Sequence, residues 1–409
     1  MKQRILFVDE DQSVLDGFKR VLYKMRSKWD MDFASTSEQA LEKMENGSFN
    51  AVVASLHMTG ISGIQLFEIL QESHPETARV FVSDSGEMKT LIEALGTAHQ
   101  FLVKPVDPVI LKNTILRVMA LREYLQDNHL KAVINKIKSL PTQPEIHLEL
   151  LQAISTESIR EIGKIIEKNP SIAAKILQLV NSPFFGLKSH INSIFQAVAL
   201  LGVDTLKALV LSLEIFSKFQ VSGSLSKELD EIFSHSIDVA SYARLIANEI
   251  SHRREVANDA FMGGLLHDTG RLILLSCQTE IYYKIKYRYD HQPAAARLPL
   301  WQIENEILGV DHSKIGAYLL GLWGLPEIYV EVAAYHHTPT AYFSRQFSAV
   351  TAVHIADAIK HMETDDKESR VDFSLRLDLP HLDPLDLTSV VPSFITSINR
   401  LKELQPSDR

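Results

Sequence analysis

The 409-residue chain holds a single cysteine, Cys277. An internal disulfide framework is thereby excluded, and a reducing, cytoplasmic setting is expected. No apolar run reaches the roughly 18–20 residues that a membrane-crossing helix needs, so membrane insertion is not expected. The opening stretch, MKQRILFVDED, meets acidic residues too early for a secretory signal. Lysine and arginine form no dense tract and the formal net charge is −9, which speaks against nucleic acid as a partner. What is present is 45% hydrophobic and 23% charged residues, a globular balance in a length that suits two or three domains.

The first stretch of about 120 residues alternates strand and helix signals, the pattern of a parallel sheet with crossover helices. Ile5–Val8 reads as a short apolar strand that ends in Asp9, Glu10 and Asp11. Val14, Leu15, Phe18, Val21 and Leu22 then line one face of a helix. Ser37–Met44 reads as a second helix. In "FNAVVASLHMTGISG", Ala51–Ala54 has the continuous apolar character of a strand buried on both faces, and a loop with Gly60 and Gly63 follows. Ile64–Leu70 reads as a helix, Val80–Val82 as a strand, Met88–Leu95 as a helix, and Phe101–Val103 as a strand closed by Lys104–Pro105. Taken as the first, third, fourth and fifth strands of five β/α units, these strands predict a five-stranded parallel sheet.

From Asp107 the β signal stops. Leu111, Ile115, Val118, Leu121 and Leu125 keep helical spacing, and Leu130, Val133, Ile134 and Ile137 resume it. One long helix, or two broken near Asp127–Asn128, would satisfy this. Two or three imperfect heptads fit a linker better than a coiled-coil seam, although they leave room for a homodimer. Pro141 and Pro144 in "SLPTQPEI" punctuate the chain. The expected division is an α/β domain over 1–124, a helical linker over 125–140, an all-α domain over 141–362 and a loosely packed tail over 363–409 with a last short helix near Phe394–Leu401. Within the all-α part, Ser158 with Glu161 and Asn169 with Pro170 are helix starts, and Asp204 caps a helix carrying Leu206, Leu209, Val210 and Leu213.

The second half places histidines and aspartates beside apolar helical segments: His235, His267–Asp268, His312, His336–His337 and Asp357. Imidazole and carboxylate together suit Fe, Mn, Zn or Mg, and several of them converging inside a bundle could hold one or two ions. A lone histidine on an apolar helix is ordinarily a satisfied core residue. His267–Asp268 stands apart, because an adjacent ionisable pair within "GGLLHDTGRLILL" is costly to bury unless something pairs with it. His291 and His381, in polar loop-like stretches, are expected at the surface.

The order of Asp9/Glu10, the "AVVAS" strand with its glycine loop, Ser83 and Lys104–Pro105 resembles the receiver domain of two-component response regulators, over residues 1–124. The resemblance implies a flavodoxin-like fold. It assigns Asp9 and Glu10 to the acidic pair that holds Mg²⁺, Ser83 to the hydroxyl that follows the phosphoryl group, and Lys104 to the lysine that pairs with it. Lys104–Pro105 would be cis. Ser55 departs from the pattern, because it stands where the family has its phosphate-accepting aspartate. A serine hydroxyl needs a base to act as nucleophile, whereas a carboxylate is already ionised, and its loss also weakens Mg²⁺ binding. Conventional phosphorylation is not expected.

The order His, His-Asp, Asp resembles the HD superfamily of metal-dependent phosphohydrolases. The stretches "LPTQPE", "NPSIAAKILQLVNSPFFGL", "ALLGVDTLKALVLSL", "GGLLHDTGRLIL" and "GLWGLPEIYVEVAAYHH" resemble the HDOD domain, a related output module generally regarded as non-catalytic. By the superfamily pattern His235, His267, Asp268 and Asp357 are metal positions. His312, His336 and His337 match extra ligands of HD-GYP cyclic-dinucleotide phosphodiesterases. "TPTAYF" after His337 lacks the GYP signature, and Arg271 replaces a usual lysine. The expectation is a non-catalytic signalling regulator that works through protein partners, a sensor kinase or another regulator. The alternative is a metal-dependent phosphohydrolase acting on a nucleotide or cyclic dinucleotide.

Overall fold

A computed structural model describes residues 2–83, 97–124, most of 149–202, 224–293, 298–342, 346–364 and 376–404, with isolated positions such as 94, 134 and 206. The expected helix at Met88–Leu95, the linker helix beyond residue 124, the Pro141/Pro144 boundary and most of the helix after Asp204 lie outside the described residues.

The amino-terminal part is a five-stranded parallel sheet in the order β2-β1-β3-β4-β5. Its strands are β1 (Gln3–Val8), β2 (Trp29–Ala34), β3 (Ala51–Ser55), β4 (Ala78–Ser83) and β5 (Gln100–Val103). Helices α1 (Gln12–Val21), α2 (Ser37–Glu45), α3 (Gly63–Ser73) and α4 (Pro108–Tyr124) join or follow them. β3 and β4 are buried at every residue, which is why they read as unbroken apolar runs. The second strand has the weakest sequence signal. Its "WDMDFA" alternates because it is an edge strand, with Asp32 turned toward Arg4 at 3.1 Å. The Lys104–Pro105 peptide is cis.

The remainder is helical. In chain order its described helices are α5 (Ile159–Glu167), α6 (Pro170–Val180), α7 (Ser224–Ser251), α8 (Arg254–Leu266), α9 (Thr269–Cys277), α10 (Thr279–Asp290), α11 (Leu300–Leu308), α12 (His312–Leu322), α13 (Glu327–Tyr335), α14 (Ala349–Thr364), α15 (Leu379–Leu382) and α16 (Val391–Leu404). Ser158 and Asn169 cap α5 and α6 by accepting from the backbone N–H groups of Glu161 and Ile172. The apolar core of the sheet runs without a break into the first helices of this half. A second core forms where α7 and α14 meet the last helices.

Two expectations are corrected there. The segment beyond residue 376 is not loosely packed: Leu382, Val391, Phe394 and Ile398 are buried in the second core. The last three follow helical spacing and put one apolar face of α16 against the bundle. His381 is not at the surface either. It is 7% exposed and bonds through Nε2 to the Thr351 hydroxyl at 2.9 Å. His291 is exposed as expected.

Candidate functional sites in the two domains

In an open parallel sheet, sites form beyond the carboxyl ends of the strands, where the strand order reverses. Here that point lies between β1 and β3. It holds Asp9, just past β1, and Ser55, the last residue of β3. Lys104, just past β5, reaches into it: its Nζ lies 2.7 Å from Asp9 Oδ2 and 3.2 Å from Ser55 Oγ. Asp9 and Ser55 are both buried. Glu10 is turned away and exposed, accepting from the Thr59 backbone N–H and, at 2.6 Å, from the Thr59 hydroxyl. Those two hydrogen bonds hold the Glu10 carboxyl below its ordinary pKa. Ser83 is buried at the end of β4, and its carbonyl accepts from the Lys104 N–H at 2.8 Å. The structure thus brings Asp9, Ser55, Ser83 and Lys104 to one edge of the sheet, with the acidic pair already engaged by a lysine and a threonine.

The second site is built where several helix ends converge on the middle of two long helices. His235 lies within α7, His267 caps the end of α8, Asp268 starts α9, His312 opens α12, and His336–His337 follow α13. Asp357 lies within α14. Close backbone approach makes the convergence geometrically feasible. A Cβ on Gly264 would sit 2.7 Å from Ala240 Cα, and one on Gly270 would sit 1.9 Å from the His312 carbonyl oxygen. Glycine at those two positions lets α8 lie on α7 and α9 lie on α12.

The seven residues gather in one cluster of adjoining groups. Asp268 Oδ1 is 3.5 Å from His267 Nε2, 3.2 Å from His312 Nε2 and 4.0 Å from His336 Nε2. Asp357 Oδ1 is 3.0 Å from His235 Nε2, and its Oδ2 is 3.6 Å from His337 Nδ1. His312 and His337 bring their Nε2 atoms to 2.9 Å. Sequence reading missed two contributors. His361, one turn beyond Asp357 on α14, lies 3.4 Å from Asp357 Oδ1. Glu304, in α11, accepts at 2.6 Å from His312 Nδ1 and at 2.8 Å from the His312 backbone N–H. The i, i+4 spacing of Asp357 and His361 was a signal available in the sequence, whereas nothing local links Glu304 to His312.

The histidines are oriented as metal ligands are. His267 and His336 each direct Nδ1 to a backbone carbonyl, of Gly264 at 2.6 Å and Ala333 at 2.9 Å, which fixes the tautomer and leaves Nε2 as the inward lone pair. Both Nε2 atoms are buried without a hydrogen-bond partner. Burial, helped by His267 and His312, pushes His336 down to about 3, and burial also lowers His267. Burial disfavours the charge on His312 as well, but Glu304 and Asp268 outweigh it and hold that imidazole at about 10. Asp268 resists burial through His267 and through Arg271, whose Nη1 is 2.8 Å away, and stays well below the carboxylate range. Two orphaned nitrogens beside ionised carboxylates fit a divalent transition ion, which would displace the proton of His312 where that imidazole ligates.

Two cavities of about 470 and 490 Å³ flank the cluster and share Arg271, Tyr289, Leu300 and His361 in their walls. The first also carries Arg376 and Trp301, whose indole stacks on His337 at 5.9 Å between centroids. Among the described residues no helix is long and apolar enough to cross a membrane.

Comparison with known proteins matches both halves. The chain is 25% identical over 208 residues to an uncharacterized protein of Treponema pallidum (strain Nichols), an alignment spanning 50% of this chain and 39% of that one. It is 26% identical over 210 residues to the response regulator protein PilR of Pseudomonas aeruginosa, covering 46% of each. The alignments thus span less than half the length of these two curated relatives. A crystal structure of the MmoQ response regulator from Methylococcus capsulatus aligns with 62% of this chain and 98% of that chain, at 21% identity and a TM-score of 0.44. Family models match residues 5–116 as a response regulator receiver domain and residues 140–339 as an HDOD domain. The chain therefore carries a response regulator receiver domain over residues 5–116, followed by an HDOD domain over residues 140–339.

Proposed function

We propose that this protein is a cytoplasmic signalling regulator whose receiver domain works without an aspartyl phosphate and whose HDOD domain delivers output by contact with other proteins. The observation that carries this reading is the position of Lys104, 2.7 Å from Asp9 and 3.2 Å from a serine at the acceptor position. Phosphoryl transfer needs an anionic nucleophile and a cation to neutralise the incoming charge. Ser55 offers a neutral hydroxyl, and the charge of Asp9 is already balanced by Lys104. Input then comes from a bound partner, a sensor kinase or another regulator, in place of covalent charge. Incubating the full chain with Mg²⁺ and acetyl phosphate should give no phosphoryl mass increase. Ser55→Asp should acquire one. A phosphoryl group on Ser55 or a neighbouring carboxylate of the unmodified chain would overturn the reading.

The orphaned Nε2 atoms of His267 and His336 favour a second reading, in which the HDOD domain binds metal and acts as a phosphohydrolase on a nucleotide or cyclic dinucleotide. Fe, Mn or Zn would be held by His235, His267, Asp268 and Asp357 on one side and by His312, His336 and His337 on the other. A bound ion would supply Lewis acidity and lower the pKa of a water for attack on a phosphoester. Arg271, beside Asp268 on the cavity wall, would bind the ester's charge. Metal analysis of the purified protein, with phosphodiester turnover by His267→Ala and Asp268→Ala, separates the readings. Metal with turnover lost in both variants supports the hydrolase, and metal without turnover supports a signalling role.

A further inference from the structure

Asp357 and His361 are one turn apart, so their side chains leave α14 on the same face. Three imidazole nitrogens gather on one oxygen there. Asp357 Oδ1 has His235 Nε2 at 3.0 Å, His361 Nε2 at 3.4 Å and His267 Nε2 at 3.8 Å. Asp268 joins the group, 3.5 Å from His267 Nε2 and 3.7 Å from His235 Nε2. Neighbouring ligands of an octahedral ion with bonds of about 2.1 Å stand about 3 Å apart, and here the donors of His235, His267 and Asp268, and those of His235, Asp357 and His361, form two triads within 4.8 Å that share His235.

We propose that His361 is a fifth protein ligand to the cation position formed by His235, His267, Asp268 and Asp357, and that it makes this position the more tightly held site for a divalent first-row transition ion. The proposal rests on the metal-binding part of the second reading above. Five protein ligands leave a six-coordinate ion one exchangeable position, fewer than a site with three or four ligands leaves, and so hold the ion more tightly. The other position is sparser. His312, His336 and His337 supply three imidazoles, and Asp268 adds an oxygen 3.2 Å from His312 Nε2. The two positions therefore differ in kind. The first ties α7, the α8–α9 junction and α14 together, and both positions border the cavity lined by Asp268, His312, His337, Asp357 and His361.

Chelator-stripped full chain would be titrated with Co²⁺, read by equilibrium dialysis and by visible absorption, with the exposed His291→Ala as a control. The unmodified chain should bind two Co²⁺, one at least tenfold more tightly and with the weak visible bands of a five- or six-coordinate ion. In His361→Ala the tight affinity should fall at least tenfold and the bands should intensify as coordination number drops, while the weaker affinity stays. His361→Gln, with far-UV circular dichroism as a folding check, covers a folding failure of the alanine variant. Both variants keeping the wild-type affinity and spectrum would overturn this proposal alone. An unmodified chain that binds no Co²⁺ would overturn the metal reading and this proposal with it.

Discussion

The side-chain amide of Gln100, at the start of β5, donates to the backbone carbonyl of Leu322, the last residue of α12, at 2.8 Å. The same amide nitrogen lies 3.4 Å from the Gly321 carbonyl, and Arg117 of α4 donates to the Leu325 carbonyl. Helix carboxyl ends leave carbonyls unpaired, so the Gln100 side chain acts as a cap supplied by another domain, while Arg117 holds the loop just beyond the helix. The far end of α12 begins with His312. One 11-residue helix, about 16 Å long, therefore joins the sheet edge to the histidine cluster.

Gln100→Ala should release that end of the helix. The expected cost is about 1–2 kcal/mol, since a buried amide partner is lost and a carbonyl is left unpaired. Amide exchange should quicken over residues 319–325 and leave β1 unchanged. Equal exchange in variant and parent would show that the contact does not hold the domains together.

Lys104→Met would leave the Asp9 carboxylate, 3% exposed, without its cation. Breaking a buried pair from one side costs about 3 kcal/mol, read as a fall in the urea midpoint. Adding Asp9→Asn should recover at least half of the loss, because the uncompensated charge goes too. Additive losses in the double variant would argue against the pair.

Gly270→Ala should displace α9 from α12, because its Cβ would lie 1.9 Å from the His312 carbonyl oxygen, a fixed backbone atom. Overpacking of this kind costs about 1–3 kcal/mol. It should also move His312 off the cluster, and bound metal per chain is the direct readout. A variant that melts and loads metal like the parent would contradict the close approach.

Lys175, on α6, is 2% exposed, and burial lowers its pKa to about 7, although the Trp323 ring 4.0 Å from its ammonium favours the charged form. With the folded value below the unfolded one, the unfolded chain binds more protons between about pH 7 and 10.5. Stability should rise through that window and level off below it. Lys175→Met should flatten the rise and add on the order of 1–3 kcal/mol near pH 7. A parent whose urea midpoint is flat across the window would refute this assignment.

Much of the sheet is legible in the sequence because buried parallel strands leave unbroken apolar runs, as at Ile5–Val8 and Ala51–Ala54. The edge strand Trp29–Ala34 is not, since Asp30 and Asp32, which pair with Arg4 and Lys43, interrupt its apolar run. The packing of Leu382 and Phe394 also escaped notice, because a stretch punctuated by proline and aspartate looks like a tail until its sparse apolar residues find a core.

The alternation of buried strands and helices, the serine at the end of β3, and the identity of seven candidate ligands were determined by the sequence alone, because each depends on residue type and local spacing. The tertiary structure decided that Lys104 spans Asp9 and Ser55, that Glu304 and His361 join the histidines, and that Gln100 caps the helix that carries His312. Those are contacts between residues up to 222 positions apart. Chain closure over such separations is set by the packing of whole helices and strands, and no local pattern encodes it.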